Sequence, residues 1–337
     1  MAEINRCLYL DANHNLSIKE EKVPQPKQGE VLVKIAANGI CGSDIKFFKE
    51  GRLGNFVVTT PYIPGHEASG TVAAVGAGVK SLKEGDRVVI EPGIACGSCG
   101  FCKGGRYNLC PDVVFLSAPP INGTFCDYVA IRENFVFPIP DSLPLDHAAL
   151  AEPAAVAIHA ISRAKFKPGA SGVIVGAGPI GLLTLQAFKA AGGGHTTCVD
   201  FNEKRLAAAK QLGADAVRGK GADLQNTGDV VFETAGSASA TAGLIDMARH
   251  GGTIVQVGWP EGNIVSMDIA SFIDKELVYT GSNRYANVYE TAVTWLADGR
   301  VGGGELITHR FTFEQAVEAF KWVAENPQDT IKALVEN

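Results

Sequence analysis

Gly172-Val-Ile-Val-Gly-Ala-Gly-Pro-Ile-Gly181 is the stretch on which the fold of this chain turns. Gly172–Val175 reads as a short buried strand, and the apolar period beyond Pro179 reads as a helix running to Ala191. Between them Gly176, Gly178 and Gly181 form G-x-G-x-x-G in the strand–turn–helix context that gives this pattern meaning. Gly176 permits the tight turn, Gly178 lets backbone approach a pyrophosphate, and Gly181 allows close helix–strand packing. Pro179 and Ile180 open the helix, whose first N–H groups face the phosphates. Asp200 ends the next expected strand, Thr196–Val199, where a carboxylate bonds ribose hydroxyls and repels a 2′-phosphate. NAD is therefore expected over NADP. Arg205, one helical turn on, is placed to stack on adenine.

Working outward, the alternation continues on the C-terminal side. Asn202 is expected to cap a helix Glu203–Leu212 ended by Gly213. A strand Val230–Glu233, a helix Ala238–Arg249 closed by Gly251, and strands Thr253–Val257 and Val278–Thr280 follow. Upstream, Asp146–Lys165 is alanine-rich and helical in pattern. This is the signature of a doubly wound parallel sheet. Two amphipathic helices, Asn287–Leu296 and Phe313–Ala324, and a strand Ile331–Val335 close the chain. Residues 1–140 differ in texture: short runs such as Cys7–Leu10, Val31–Ile35, Thr71–Val75, Arg87–Ile90 and Tyr128–Ile131 alternate with turn residues, as in a barrel or sandwich.

Length and composition agree with two domains in one α/β chain of 337 residues. The 30 basic and 36 acidic residues give a net charge of −6, which excludes a nucleic-acid binder that relies on a broad basic face. The uncharged stretch Pro168–Phe188 is no membrane span, because Pro179 and the glycines break it and its period changes midway. Residues 1–30 hold no apolar signal core, so a cytoplasmic chain with reduced thiols is expected. Under those conditions clustered cysteines read as metal ligands.

Cys96, Cys99, Cys102 and Cys110 form C-x-x-C-x-x-C-x7-C, with Gly97, Gly100, Gly104 and Gly105 supplying the reversals of a knuckle. Four thiolates suit one tetrahedral zinc and leave no open position, so this site is structural. Cys7, Cys126 and Cys198 are scattered and read as buried thiols. A second set is dispersed: Cys41 in Asn-Gly-Ile-Cys-Gly-Ser-Asp, His66 and Glu67 in Pro-Gly-His-Glu, and Glu152 before Pro153. Mixed S, N and O donors with room for water describe a catalytic zinc, although spacing alone does not separate a ligand His66 from a core histidine.

Together these features resemble the zinc-dependent medium-chain dehydrogenase/reductase family, over nearly the whole chain, and within it the sorbitol and xylitol (polyol) dehydrogenase branch. The resemblance rests on Gly39–Asp44, Gly-Arg-Leu-Gly-Asn-Phe from Gly51, Pro64–Gly70, Gly85–Gly93, Gly105–Pro111, Ala151–Pro153, Gly176–Gly181 and Thr308–Phe311. It implies a GroES-like β-barrel catalytic domain, residues 1–150 and 285–337, with a Rossmann NAD-binding domain, 151–284, inserted into it. It implies two zinc ions per chain, the catalytic one at the interdomain cleft, and NAD. It implies Cys41, His66 and Glu67 as zinc ligands, with Glu152 on the zinc water or the zinc itself. Val257, Gly258, Ser282 and Asn283 match contacts to the nicotinamide half, and Phe115, Arg284 and Tyr285 match positions shaping a polyol pocket. Relatives in this branch are commonly tetramers, and neither nucleic acid nor membrane is an expected partner.

The implied reaction is oxidation of a secondary hydroxyl of a polyol to the ketose, reversibly. Ser43 is the expected acceptor of the hydroxyl proton, passing it to a ribose hydroxyl of the cofactor. Many relatives carry histidine at the outer end of that relay, where this chain has Lys46, which donates but is a poor base. Proton exit through Glu152 and water is the alternative route. Phe47 replaces a tyrosine frequent in polyol enzymes and so lacks one hydroxyl for the sugar chain. Two other activities compete: a dehydrogenase for threonine, a phosphorylated polyol or butanediol, with Lys46 and Arg284 toward an anionic group, and a non-catalytic NAD-binding protein.

Overall fold

The run Gly172–Val175 is buried at every position and forms the centre of a six-stranded parallel sheet. A strand covered on both faces carries no alternation, which is why it reads as a continuous apolar run. The sheet order is Ala216–Arg218, Thr196–Val199, Gly172–Val175, Gly228–Glu233, Ala248–Gln256, Val278–Gly281. Counted from the first of these strands in the chain, the order is 3-2-1-4-5-6, and every neighbouring pair is parallel. The order reverses between Gly172–Val175 and Gly228–Glu233, so the carboxyl ends of those two strands flank the switch point where such sheets take ligands. The computed structural model in which this is seen describes residues 4–219, 223–260 and 262–337.

The helix Pro179–Ala190 begins with proline at a position whose missing N–H has no helical partner to lose, and it buries Leu182, Leu183, Leu185 and Phe188. Each such side chain contributes about 1.5–3 kcal/mol on burial. Asn202 caps Glu203–Gln211 as expected, its side chain accepting from the N–H groups of Lys204 and Arg205.

One helix differs from expectation. Ala238–Arg249 is not continuous: helices Ala238–Ala242 and Leu244–Met247 are followed by a strand from Ala248. Ala248 turns extended to pair with Gly228, and the Lys275 ammonium takes the carbonyls of Ile245, Asp246 and Ala248 that another helical turn would have used. The Asp146–Lys165 pattern is likewise divided, into Leu145–Ala148 and Ala151–Ala164.

The parallel sheet and the helices between its strands belong to one of two units, Pro153–Val288 with Gly299–Glu305. The other takes the chain through Glu152 with Tyr289–Asp298 and Leu306–Asn337. Its spine is the long strand Glu30–Ile40, which pairs along one side with Glu67–Val75. On the other side its first half pairs with Tyr128–Arg132 and its second half with Lys332–Glu336. Arg87–Ile90 and Val136–Pro138 extend the sheet at one edge and Ile307–Thr312 at the other. Val31, Val33, Ile35, Val72, Val88 and Ile131 fill one core, and Leu8, Ile40, Phe125, Phe313, Phe320 and Val335 fill a second. The last strand thus lies beside the residues that lead into Cys41. Among the described residues no helix is long and apolar enough to cross a membrane.

Candidate functional site

Cys41 stands where the strand Glu30–Ile40 gives way to the helix Gly42–Glu50, and His66 and Glu67 stand at the entry of the neighbouring strand Glu67–Val75. Gly39 and Glu67 face each other in register, and a Cβ on Gly39 would lie 2.0 Å from Glu67 Oε2. Only glycine leaves the carboxylate its place. Among the described residues Cys41, His66 and Glu67 each offer a ligand atom, all within 4.8 Å of one another. Ligands of a tetrahedral zinc, with bonds of about 2.0–2.3 Å, stand roughly 3.3–3.8 Å apart, so the trio fits that ion with small adjustment.

Asp44 braces this trio, and motif reading did not single it out. It is fully buried at the third position of the Gly42–Glu50 helix. Its Oδ2 accepts the Cys41 N–H at 3.0 Å, and its Oδ1 accepts from Ser117 Oγ at 3.0 Å and the Gly65 N–H at 3.3 Å. His66 Nδ1 lies 3.7 Å from the same Oδ1 and has no hydrogen-bond partner. Burial opposes a charge on His66, yet Asp44, Cys41 and Glu152 together hold its pKa well above the ordinary histidine value. Burial in turn raises the Asp44 carboxyl. A buried pocket with this many anionic donors is electrostatically short of a cation, which is the condition a zinc ion meets.

Lys332, from the last strand, was also missed. Its ammonium is buried behind Glu67, 2.7 Å from both carboxylate oxygens and 3.2 Å from the Ile40 carbonyl. Burial would lower its pKa, but Glu67 and Cys41 raise it, so it stays charged.

Glu152, in the first turn of Ala151–Ala164, is buried; it lies outside the group of mutually close ligand atoms, but its charge acts on both His66 and Lys332. The Phe115 ring lies 5.6 Å from the His66 ring. Ser43 and Lys46 are half-buried on the Gly42–Glu50 helix. Phe47 faces inward, edge-on to Tyr62 in a cluster with Leu10 and Val58.

Cys96, Cys99, Cys102 and Cys110 form the second group of close ligand atoms. Cys102 Sγ is 3.9 Å from Cys96 Sγ and 3.5 Å from Cys99 Sγ. The Cys99 N–H points at Cys96 Sγ and the Cys102 N–H at Cys99 Sγ, each at 3.4 Å. Backbone N–H groups of Ser98 and Cys99 pull Cys96 down to about 6, whereas burial and the neighbouring thiols push Cys102 up to about 12. Cys96 therefore forms its thiolate readily, whereas Cys102 resists until a cation joins it, as expected of a metal knuckle.

In the other unit, a Cβ on Gly181 would lie 1.7 Å from the Gly176 carbonyl oxygen, whereas a Cβ on Gly178 would meet nothing nearer than Arg205 Nη1 at 3.9 Å. Gly181 is glycine for packing, and Gly178 leaves open space in which a pyrophosphate fits. Asp200 Oδ2 accepts the Ala177 N–H at 2.7 Å, tying the acid to the turn. Thr234 Oγ1 donates to the Gly176 carbonyl, and the buried Glu233 accepts from the N–H groups of Ala235 and Gly236 and from Gln256 Nε2. Val257 and Gly258 donate their N–H groups to the Glu233 carbonyl, and Ser282 donates to that of Gln256. Asn283 is exposed beyond Ser282, Arg284 is half-buried with a positive φ of 51°, and Tyr285 is buried. Glu233 and Thr234 were not foreseen. The single signal for them is their place at a strand end next to the fingerprint.

Comparison with known proteins places this geometry. Residues 27–141 match the alcohol dehydrogenase GroES-like domain, and residues 179–298 match the zinc-binding dehydrogenase domain. A sorbitol dehydrogenase of Bacillus subtilis is 42% identical over 335 residues, covering 96% of this chain and 95% of its own length. A D-xylulose reductase of Saccharomyces cerevisiae is 39% identical, covering 96% of this chain and 93% of its own. The crystal structure of an Escherichia coli oxidoreductase/dehydrogenase of unknown specificity superposes with a TM-score of 0.93 at 37% identity, covering 99% of each chain.

Proposed function

This chain belongs to the zinc-binding, GroES-like alcohol dehydrogenase family, and we propose that it oxidises a secondary hydroxyl of a neutral, sorbitol- or xylitol-like polyol with NAD. The reaction is R–CHOH–R′ + NAD⁺ → R–CO–R′ + NADH + H⁺, and it is reversible. The observation that carries the reading is the Asp44-braced trio Cys41, His66 and Glu67 with Phe115 against the histidine. The relatives named above, whose names specify a polyol and a ketose, support the substrate class.

When bound, zinc supplies Lewis acidity to the substrate hydroxyl and the nicotinamide ring supplies a hydride acceptor. The rest falls to the chain. Cys41, His66 and Glu67 hold the catalytic ion, and Cys96, Cys99, Cys102 and Cys110 hold a structural one, two zincs per chain. Asp44 faces the imidazole of His66 and holds the backbone of Cys41 and Gly65, and Lys332 fixes the carboxylate of Glu67. Ser43 takes the hydroxyl proton and hands it toward the cofactor ribose, with Lys46 donating to that ribose. Glu152 is the second way out for the proton. The Gly176–Gly181 turn seats the pyrophosphate, Asp200 selects NAD, and Arg205 covers the adenine. Val257, Gly258, Ser282 and Asn283 hold the nicotinamide half, and Phe115, Arg284 and Tyr285 shape the substrate side, while Phe47 packs into the core against Tyr62 and Leu10. The same reading takes the enzyme as a homotetramer.

A metal count tests it. Two zincs per chain in the wild type, and one in a Cys41→Ser variant that has lost activity, is the expected result. Wild-type protein with metal at the Cys96–Cys110 cluster alone overturns the reading.

A further inference from the structure

Five cysteines of this chain belong to the two metal groups, and two of the remaining three are cross-strand neighbours. Cys7 lies on the strand Ile4–Leu10, which forms a hairpin with Leu16–Lys22. Cys126 faces it through an isolated antiparallel bridge. The flanking hydrogen bonds run from Leu8 N–H to the Phe125 carbonyl, 2.9 Å, and from Asp127 N–H to the Arg6 carbonyl, 3.0 Å. That pattern makes Cys7 and Cys126 a non-hydrogen-bonded pair, the class in which opposite Cα atoms approach to about 4.5 Å. This spacing lies within the roughly 4.4–6.8 Å window of a disulfide. Both residues are buried, at 0% and 2% exposure.

We propose that Cys7 and Cys126 are an oxidisable thiol pair, closing to a disulfide that staples the N-terminal hairpin to the body of its unit. Outside its own pairing the hairpin joins the rest of its unit through two isolated bridges, Cys7 with Cys126 and Leu10 with Tyr62, through hydrogen bonds between Asn5 and Tyr128, through ion pairs of Arg6 with Asp127 and Glu314, and through Leu8 in the second core. A covalent link would bind that hairpin to a position more than a hundred residues away in the chain. While the hairpin is docked the pair is unreactive: Cys7 Sγ–H points at the Asn5 carbonyl and Cys126 Sγ–H at the Tyr128 carbonyl. The contact with Cys7 and burial also hold the Cys126 thiol up. Reaction therefore waits on opening.

The oxidant is a low-molecular-weight disulfide of the glutathione type. One exposed cysteine loses its proton and attacks this reagent, forming a mixed disulfide and releasing one reagent thiol. On redocking, the second cysteine loses its proton and attacks the protein sulfur of the mixed disulfide. The Cys7–Cys126 bond forms and the second reagent thiol leaves. Two protein thiols are oxidised, and one reagent disulfide is reduced to two thiols.

The test uses the zinc-loaded full chain, incubated with oxidised glutathione in buffer and in urea below the unfolding transition. It is then alkylated, digested and mapped by mass spectrometry. A linked Cys7–Cys126 peptide, lighter by two hydrogens and restored by dithiothreitol, is expected. It should form about tenfold faster in urea and raise Tm by on the order of 5 °C. Recovery of both cysteines as alkylated thiols in urea, a link from either one to another cysteine, or a Cys7–Cys126 link with unchanged Tm overturns the proposal.

Discussion

Lys332 Nζ lies 2.7 Å from each carboxylate oxygen of Glu67, and both side chains are almost wholly buried, at 2% and 1% exposure. The pair is the innermost charge balance of the trio, set between the first residues of one strand and the last strand of the chain. In the metal-free protein, removing the cation leaves a buried carboxylate unpaired, a loss on the order of 3–5 kcal/mol. Lys332→Met should therefore unfold at markedly lower urea concentration, whereas Lys332→Arg should recover most of the loss. Equilibrium urea unfolding checks this. A Met variant within about 1 kcal/mol of wild type would falsify the structural importance of the pair.

Asp44 acts one step further out. It joins the Cys41 and Gly65 N–H groups, and it faces the His66 ring. Partners of a metal-bound histidine typically tune affinity by about 10–100-fold. Asp44→Asn keeps the shape but removes the charge. The catalytic zinc should then be lost to a chelator at roughly 10–100-fold lower concentration. The Cys96–Cys110 zinc should be unaffected, since its four ligands lie outside this network.

Asp200 spends one oxygen on the Ala177 N–H and the other on the Asn202 N–H, so its carboxylate is fixed beside the fingerprint turn. A fixed anion there rejects a 2′-phosphate. Asp200→Ala should shift the NADP/NAD ratio of kcat/KM toward NADP by about 10–100-fold, the size of a lost charge-assisted hydrogen bond. Initial rates with the two cofactors check it, and an unchanged ratio would remove Asp200 from cofactor selection.

Burial pushes Glu91 up to about 7, against the pull of the Tyr107 hydroxyl that donates to it at 2.8 Å. A carboxyl whose folded pKa exceeds its unfolded value favours the folded state at low pH. That contribution is full below the unfolded value, 4.5, and is lost as pH rises through about 7. Wild type should therefore lose stability relative to Glu91→Gln between about pH 5 and pH 8. Thermal unfolding of both across that range checks the sign. Parallel curves would mean that Glu91 titrates normally.

The fingerprint and the knuckle were legible because each is local: a period, a spacing, a tight glycine turn; the dispersed Cys41, His66 and Glu67 were drawn together only by the family resemblance. The helix Gly42–Glu50 was not, since it opens on Gly-Ser-Asp, which reads equally as a turn. The strands Leu16–Lys22 and Ile307–Thr312 were missed because they carry charged or polar residues on their open face and take their identity from distant partners. Lys332 illustrates the general limit. It sits in an apolar run, and its partner Glu67 is 265 residues away, so no window on the sequence contains both. Asp44 lay within a quoted motif, but only the fold shows that it holds three groups at once.

The central claim, zinc-dependent polyol oxidation with NAD, is tested most directly by NADH formation with the metal-replete enzyme. The panel is xylitol, sorbitol, galactitol, arabinitol, threonine, butanediol and a phosphorylated polyol, each with and without chelator. The account predicts chelator-sensitive NADH formation with the highest kcat/KM on a neutral polyol. No NADH from any polyol, or a clear preference for threonine or the phosphorylated substrate, would contradict it.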